Sequence, residues 1–235
     1  FVRFHPIIQN ARDFEDCYKP RHSRTTVGTN LKAYADPLME EFSKSARRVI
    51  RRSLAAGVDF RLAESPEGLG EFQKIYYATM ERNKAHDFYY FGERYFTSCL
   101  QYFKKNIVLV EAIYQGKVIA SGLYFCYKDL IHAHLSGTLT SYLHLSPAYV
   151  LRYAIMMWGK NQGYHLIHHG GGISKSKRDS LYRFKQRFGK NTSFKFEIGS
   201  RIWNREVYGK LCLKQNLPVA GGFFPAYRAK INDYQ

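Results

Sequence analysis

Lys185 is the side chain in this sequence most open to chemical use, because of the stretch it belongs to. That stretch is GGGISKSKRDSLYRFKQRFG, Gly170 to Gly189. Three glycines open it, directly behind an apolar run from Tyr164 to His169, and a basic loop with Lys175, Lys177 and Arg178 follows. Asp179 stands where a carboxylate can accept the free N–H groups of a first helical turn. Gly189 is placed to stop that helix by taking a left-handed conformation. Glycine loop, basic segment and capped helix gather backbone N–H groups and positive charge at one mouth, which suits an anion. Leu181, Phe184 and Phe188 recur at helical spacing and predict one apolar face, with Lys185 beside it. Lys185 is then either a lysine snorkelling its ammonium out along the core margin or one held inward for use. Gly170, Gly171 and Gly172 have a similar double reading: a plain turn behind a strand, or room for an anion.

Other titratable residues fall into weaker patterns. Glu111 is an acid inside an otherwise apolar strand; it reads as a proton acceptor or as an outward-facing residue of a half-buried strand. His132 and His134 alternate on one strand and so share a face, a spacing zinc can use, with His168 and His169 on a neighbouring run. No acidic or cysteine partner has matching spacing, and no metal is expected. Cys17, Cys99, Cys126 and Cys212 are dispersed with no CxxC pair, which argues against a zinc ribbon or thioredoxin-type site and fits reduced thiols in a cytosolic protein. Gly-x-Ser-x-Gly, phosphate-loop and dinucleotide fingerprints are absent.

The elements that must position these residues are legible from periodicity. Thr25 to Leu31 predicts a strand. Asp36 and Pro37 start a helix that runs to Gly57, with an apolar stripe at Phe42, Ala46, Val49, Ile50 and Leu54. Its remaining surface carries Arg47, Arg48, Arg51 and Arg52, a phosphate-contacting face centred on Arg48 and Arg52 or a favourable response to the helix dipole. Val58 to Ala63 alternates as a strand; Pro66 to Lys84 and Gly92 to Phe103 predict helices. Ile107 to Tyr114, Lys117 to Tyr127 and Leu130 to Leu139 form an antiparallel meander joined at Gln115-Gly116 and Lys128-Asp129. A helix from Ser146-Pro147 to Gly163, a strand to His169, the Gly170 stretch, a strand from Phe194 to Ile198 and a helix from Arg205 to Lys214 complete the order. The tail around Gly221 and Gly222 reads as irregular. The expected class is α+β, with a boundary near Gly57.

At 235 residues, 45% hydrophobic and 16% aromatic, the chain can bury a real core. It opens on Phe1 rather than methionine, so we expect a longer protein upstream. No apolar run approaches a membrane span. Lys and Arg number 36 against 19 acids, a net +17, which favours a polyanionic partner. A basic, tyrosine-rich surface also fits a second class of function, a non-catalytic module holding RNA or an anionic glycolipid by phosphate contact and stacking.

From Val58 the element order is that of the Gcn5-related N-acetyltransferase fold. The chain resembles the FemAB-type branch, the aminoacyl and peptidyl transferases that build peptidoglycan cross-bridges, and their acyltransferase relatives. The matching pieces are VRFHPIIQN at Val2, RRVIRRSLAAGV at Arg47, SGT at Ser136, SPAYVLRYAI at Ser146 and LYRFKQRFG at Leu181. The resemblance implies a mixed, mostly antiparallel sheet flanked by helices. Residues 1–56 would close a first acetyltransferase-like subdomain and residues 57–235 form a complete second one. It implies acyl or aminoacyl transfer from an aminoacyl-tRNA or acyl-CoA donor to an amine on an anionic cell-envelope precursor. No cofactor is bound tightly, acyl-CoA entering only as a donor substrate, and DNA is not a partner. The place implied is the cytoplasm, with peripheral contact at the inner membrane face. Lys185, by its match to the family's Phe-Lys pair, would stabilise the developing charge or leaving oxygen, with Phe184 shaping the pocket and Tyr182 as the alternative acid. Glu111, on its own residue pattern, is the candidate to take the acceptor's proton, and Ser136 falls to substrate binding with the Gly170 loop, Lys175 and Arg178. Two family features are missing: the helical-hairpin arm, and the acetyl-CoA pyrophosphate signature, where SYLHLSP stands instead.

Overall fold

The computed structural model describes residues 1–219 and 223–229; Gly221 and Gly222 lie outside them. The described elements follow in the order β1 (Val2–Arg3), β2 (Arg21–Asn30), α1 (Pro37–Glu41), α2 (Lys44–Ala55), β3 (Asp59–Glu64), α3 (Gly70–Arg82), α4 (Glu93–Phe103), β4 (Ile107–Tyr114), β5 (Lys117–Tyr127), β6 (Leu130–Thr138), α5 (Pro147–Asn161), β7 (Leu166–Gly171), α6 (Ser180–Gln186), β8 (Ser193–Gly199) and α7 (Arg205–Lys214). This is the expected α+β order.

Two compact units are present. The larger, Thr26–Ser193, is a sheet in the order β2-β7-β6-β5-β4-β3, antiparallel except where β6 meets β7. On one face α2 and α5 bury Ala46, Ile50, Val150 and Ile155 against Val110, Ile119, Ile131 and Ile167. On the other, α3 and α4 bury Phe72, Tyr76, Phe96 and Cys99 against Ile107, Leu109 and Leu123. Alternate residues of β4 thus enter two cores, as the period of two requires of a strand covered on both faces. Residues on both sides of Gly57 share the first core, since Phe42, Ala46 and Ile50 pack with Val58 and Val110. Both central residues of the Gln115-Gly116 hairpin have positive φ, 49° and 76°, the twist a two-residue turn needs.

One expected helix is two. Asp36 caps α1, its Oδ1 accepting from Leu38 N at 2.9 Å and Met39 N at 3.2 Å. The helix then breaks at Phe42, which is extended, and restarts on Ser43, whose Oγ accepts from Ala46 N at 3.2 Å. Tertiary contacts account for the break: Phe42 is fully buried edge-on against Phe188, and Ser43 N donates to the Arg187 carbonyl at 2.8 Å. Arg47 Nη1 donates to the carbonyls of Met39 at 2.9 Å and Phe42 at 2.6 Å, so this arginine serves the break rather than a phosphate face.

The strands β6 and β7 matter most for the site. They pair in parallel only at Leu130↔Leu166, Ile131↔Ile167 and His132↔His168. Beyond that, β6 continues to Thr138 paired with β5 alone, and β7 continues to Gly171 paired with β2 alone. Among the described residues, the two strands part beyond His132 and His168.

The smaller unit joins Phe1–Thr25 with the chain from Phe194 onward. In it β1 pairs antiparallel with β8, Val2 opposite Gly199, and Phe4 packs against Phe14 and Tyr18. Tyr208 and Cys212 of α7 bury against Ala226. Among the described residues no helix is long and apolar enough to cross a membrane.

Candidate functional site

The Gly170 stretch lies where β7 leaves β6. Lys185, half-buried on α6, donates from Nζ to the Gly171 carbonyl at 2.8 Å. Gly170 has φ +75°, and a Cβ there would stand 3.3 Å from Lys185 Nζ. Its glycine answers a left-handed backbone and a close lysine together. The lysine is held over the end of β7 rather than extended to solvent.

Asp179 builds the loop between. Its Oδ2 accepts from Ile173 N at 3.0 Å, Ser174 N at 2.8 Å and Ser174 Oγ at 3.1 Å, while Oδ1 accepts from Tyr182 N at 2.9 Å. The cap expected from sequence is present and does more than cap. The Ser174 amide and then the Tyr182 amide bring its pKa down to about 2, because each bond favours the ionised carboxylate. A Cβ at Gly172 would meet Asp179 Oδ1 at 2.4 Å, so only glycine lets this carboxylate reach the loop. Lys175, Lys177 and Arg178 project from it exposed.

The apolar face of α6 differs from the expected one. Phe188 is fully buried and Tyr182 buried, whereas Leu181 is exposed. Phe184 is half-buried with its ring 5.4 Å from Tyr149 and 5.1 Å from Phe188. The helix ends before Gly189, whose φ is not left-handed. Gly189 serves contact instead: a Cβ there would lie 1.9 Å from the Gly28 carbonyl oxygen.

Behind Lys185 runs a buried chain of polar groups that the sequence did not reveal. Thr29 Oγ1 donates to the Phe188 carbonyl at 2.5 Å and lies 2.7 Å from His169 Nε2. The hydroxyl has one proton, and the carbonyl takes it, so Nε2 must be the donor to Oγ1. Neutral His169 is then left with a lone pair on Nδ1, which faces Arg152 Nη1 at 3.5 Å. Burial first, then Arg152, Lys185, His168 and His132, hold the His169 pKa well below its ordinary 6.5. The one hint in the sequence was an arginine inside the apolar stripe of SPAYVLRYAI.

The remaining candidates are dispersed. Ser136 is half-buried on β6 beyond the parting of the strands, opposite Gly122. Arg48 and Arg52 are exposed on α2. Glu111 is not brought to Lys185: it sits on β4, three strands from β7, buried and bonded by Arg61 Nε at 2.5 Å. His132 and His134 do share a face; His132 Nδ1 is 3.2 Å from His168 Nδ1, and His134 Nε2 is 2.5 Å from the Tyr95 hydroxyl. Among the described residues no group of three or more His, Cys, Asp or Glu side chains could hold a metal.

Residues 40–207 match the family model described as an acetyltransferase (GNAT) domain. The chain is 26% identical over 180 residues to the UDP-N-acetylmuramoylpentapeptide-lysine N(6)-alanyltransferase of Weissella viridescens, a match covering 75% of this chain and 52% of that protein. It therefore spans about half the length of that curated relative. The crystal structure of FemX superposes with a TM-score of 0.67 at 12% identity, covering 88% of this chain and 72% of that one. L-PGS from Bacillus licheniformis gives 0.61 at 14% identity, covering 88% and 70%. Both share the fold. With the element order, the parted strands and the family match in agreement, the chain belongs to the acetyltransferase (GNAT) family.

Proposed function

We propose that this chain transfers an acyl or aminoacyl group from an activated ester or thioester to an amine borne by a cell-envelope precursor. The observation that carries the reading is the lysine held over the end of β7, with its Nζ on the Gly171 carbonyl where β7 has parted from β6. An amine attacking an ester needs alignment and a place for the developing oxyanion more than covalent help. As the C–N bond forms, the carbonyl oxygen gains the charge that the Lys185 ammonium stabilises. The C–O or C–S bond then breaks, the leaving oxygen or sulfur takes up a proton, and the amine loses one to solvent. Phe184, next to Lys185 in sequence, packs its ring against Tyr149 and Phe188.

An aminoacyl-tRNA donor fits the net charge of +17 and the exposed Lys175, Lys177 and Arg178, since phosphate contacts supply most of the affinity for RNA. The kinship with an alanyltransferase acting on a UDP-linked muramoyl peptide supports an acceptor of that kind. An acyl-CoA donor is the second reading, supported by the GNAT family match. Work at the inner face of the membrane accords with such an acceptor.

The deciding experiment is a mass-spectrometric transfer assay on the longest form of the protein, offering mixed aminoacyl-tRNAs and mixed acyl-CoAs to amine-bearing cell-wall precursors. The expected result is an amide product whose kcat falls about 100- to 1000-fold in Lys185→Ala. Product from CoA alone would move the donor to thioesters. No product from either, beside an active control transferase, would leave a basic binding module.

A further inference from the structure

The cations of α2 stand where the helix itself disfavours them. Because the chain breaks at Phe42, α2 begins at Lys44, and its 12 residues, KSARRVIRRSLA, contain no acid. Lys44 is its first residue and Arg48 follows one turn later, toward the end of the helix whose dipole repels positive charge. Of the exposed cations Arg52 alone lies in the last turn, where the dipole favours it. Lys44, Arg48 and Arg52 also repeat at four-residue spacing, which sets like charges beside one another on one face. All three are exposed, as is Arg51, while Ala46, Ile50 and Ser53 turn to the core. A row that lowers the stability of its own helix and faces water points to a partner.

A second basic element meets the first end to end. Ser43, the N-cap of α2, donates its amide to the Arg187 carbonyl at 2.8 Å, just past α6, and Lys190 Nζ donates to the Met39 carbonyl at 3.2 Å. From Gly170 to Lys190 the one acid in the sequence is Asp179, whose carboxylate is bonded to the amides of Ile173, Ser174 and Tyr182. Lys175, Lys177, Arg178, Arg183, Arg187 and Lys190 are exposed along that stretch. Asp36 and Glu40, at α1, are the exposed acids beside the junction. From the junction α2 runs toward β3, the far edge strand of the sheet. At 1.5 Å per residue, α2 and α6 extend over about 18 Å and about 10 Å.

We propose that these two helices form the track of a nucleic-acid backbone: the phosphates of an RNA stem lie along α2 and α6 while its acylated end reaches Lys185. The assignment rests on the transferase reading, and it chooses RNA between the two donors. Acyl-CoA carries its phosphates close together at one end, whereas a repeating phosphate backbone can meet cations spread over both helices. Among the described residues neither α2 nor the Gly170–Lys190 stretch carries an exposed aromatic ring, and such rings are what anchor a protein in a lipid interface.

Fluorescence anisotropy on the full chain tests it, with a deacylated RNA hairpin ending in CCA titrated across a salt series. The double variant Arg48→Gln, Arg52→Gln should bind about tenfold more weakly, with the slope of log K on log salt reduced by roughly 1.4–1.8. Arg48→Lys with Arg52→Lys should restore that slope and most of the affinity, since a phosphate contact needs the charge. Lys74→Gln with Lys105→Gln removes the same charge from α3 and from the residues after α4, on the other face of the sheet. Binding there should stay within about twofold, because distant exposed charges are screened. All these side chains are exposed, and matching Tm values establish that each variant keeps the fold. Equal losses in the two glutamine pairs, unchanged binding in Arg48→Gln, Arg52→Gln, or no binding by the wild type below about 100 μM at low salt overturns the proposal. So does binding through Arg48 and Arg52 to phosphatidylglycerol vesicles but not to the hairpin. The transfer assay separates the two readings. Hairpin binding through α2 without any transfer keeps this surface and loses the transferase. Transfer from aminoacyl-tRNA with unchanged KM in Arg48→Gln, Arg52→Gln keeps the transferase and loses this surface.

Discussion

Gly189 stands so close to Gly28 that a Cβ added to it would lie 1.9 Å from the Gly28 carbonyl oxygen and 2.6 Å from Val27 Cγ1. Backbone meets backbone here, so no rotamer change can relieve the clash. Gly189→Ala is expected to cost roughly 3 kcal/mol or more, in the range of overpacking inside a rigid core. Gly209→Ala is the control: Gly209 lies within α7, a Cβ there meets nothing within 4 Å, and alanine should gain about 0.5–1 kcal/mol from helix propensity. Urea unfolding of both variants checks the pair, and a stable Gly189→Ala would refute the contact.

Glu111 should behave as a structural acid. Its carboxylate is buried and bonded to Arg61, whose side chain is 63% exposed. Glu111→Gln is expected to lower stability by roughly 1–3 kcal/mol, the range for losing a charged hydrogen bond at a buried group, while leaving kcat within about twofold. A kcat that drops a hundredfold with normal folding would return Glu111 to the reaction.

The loop after β7 should loosen only in strong acid. Asp179 has its pKa brought from 3.8 to about 2 by backbone bonds, the Ser174 amide foremost. A carboxylate whose folded pKa is depressed stabilises fully above its unfolded pKa and loses that contribution as pH falls through the folded one. The stability gap between wild type and Asp179→Asn should therefore be constant above pH 5 and close between about pH 4 and pH 2. A gap that narrows near neutrality would contradict the bonding described.

His134 should stay neutral far below its ordinary range. Burial brings its pKa from 6.5 down to about 4. The unfolded chain takes up its proton first, so the contribution is complete above pH 6.5 and declines as pH falls toward 4. His169, lowered by burial and by Arg152 and Lys185, acts in the same direction. Imidazole proton shifts followed by NMR should show a His134 midpoint near 4; a midpoint near 6.5 would mean the ring is solvated.

Local pattern carried much of the fold. The bounds of β4, β5 and α7 are those the apolar periodicity predicts, because each element's burial repeats at its own period. What failed depended on distant partners. The break at Phe42 is made by Phe188 and Arg187, and the purpose of Gly189 by Gly28. Leu181 has helical spacing yet faces outward, because Tyr182 is the residue turned to the core. Glycine loop and Asp179 cap were legible since they lie within one stretch of sequence. Arg152, His169 and Thr29 were not, since Thr29 and His169 are 140 residues apart and a lone arginine in an apolar stripe has no visible partner.

The parting of β6 and β7 has a consequence for the main chain itself. Past His132 and His168, among the described residues, β6 pairs with β5 and β7 with β2, so the two strands no longer share a ladder. Among the described residues three pairs, Leu130 with Leu166, Ile131 with Ile167 and His132 with His168, thus join the two halves of the sheet, and the helices packed on them carry the rest.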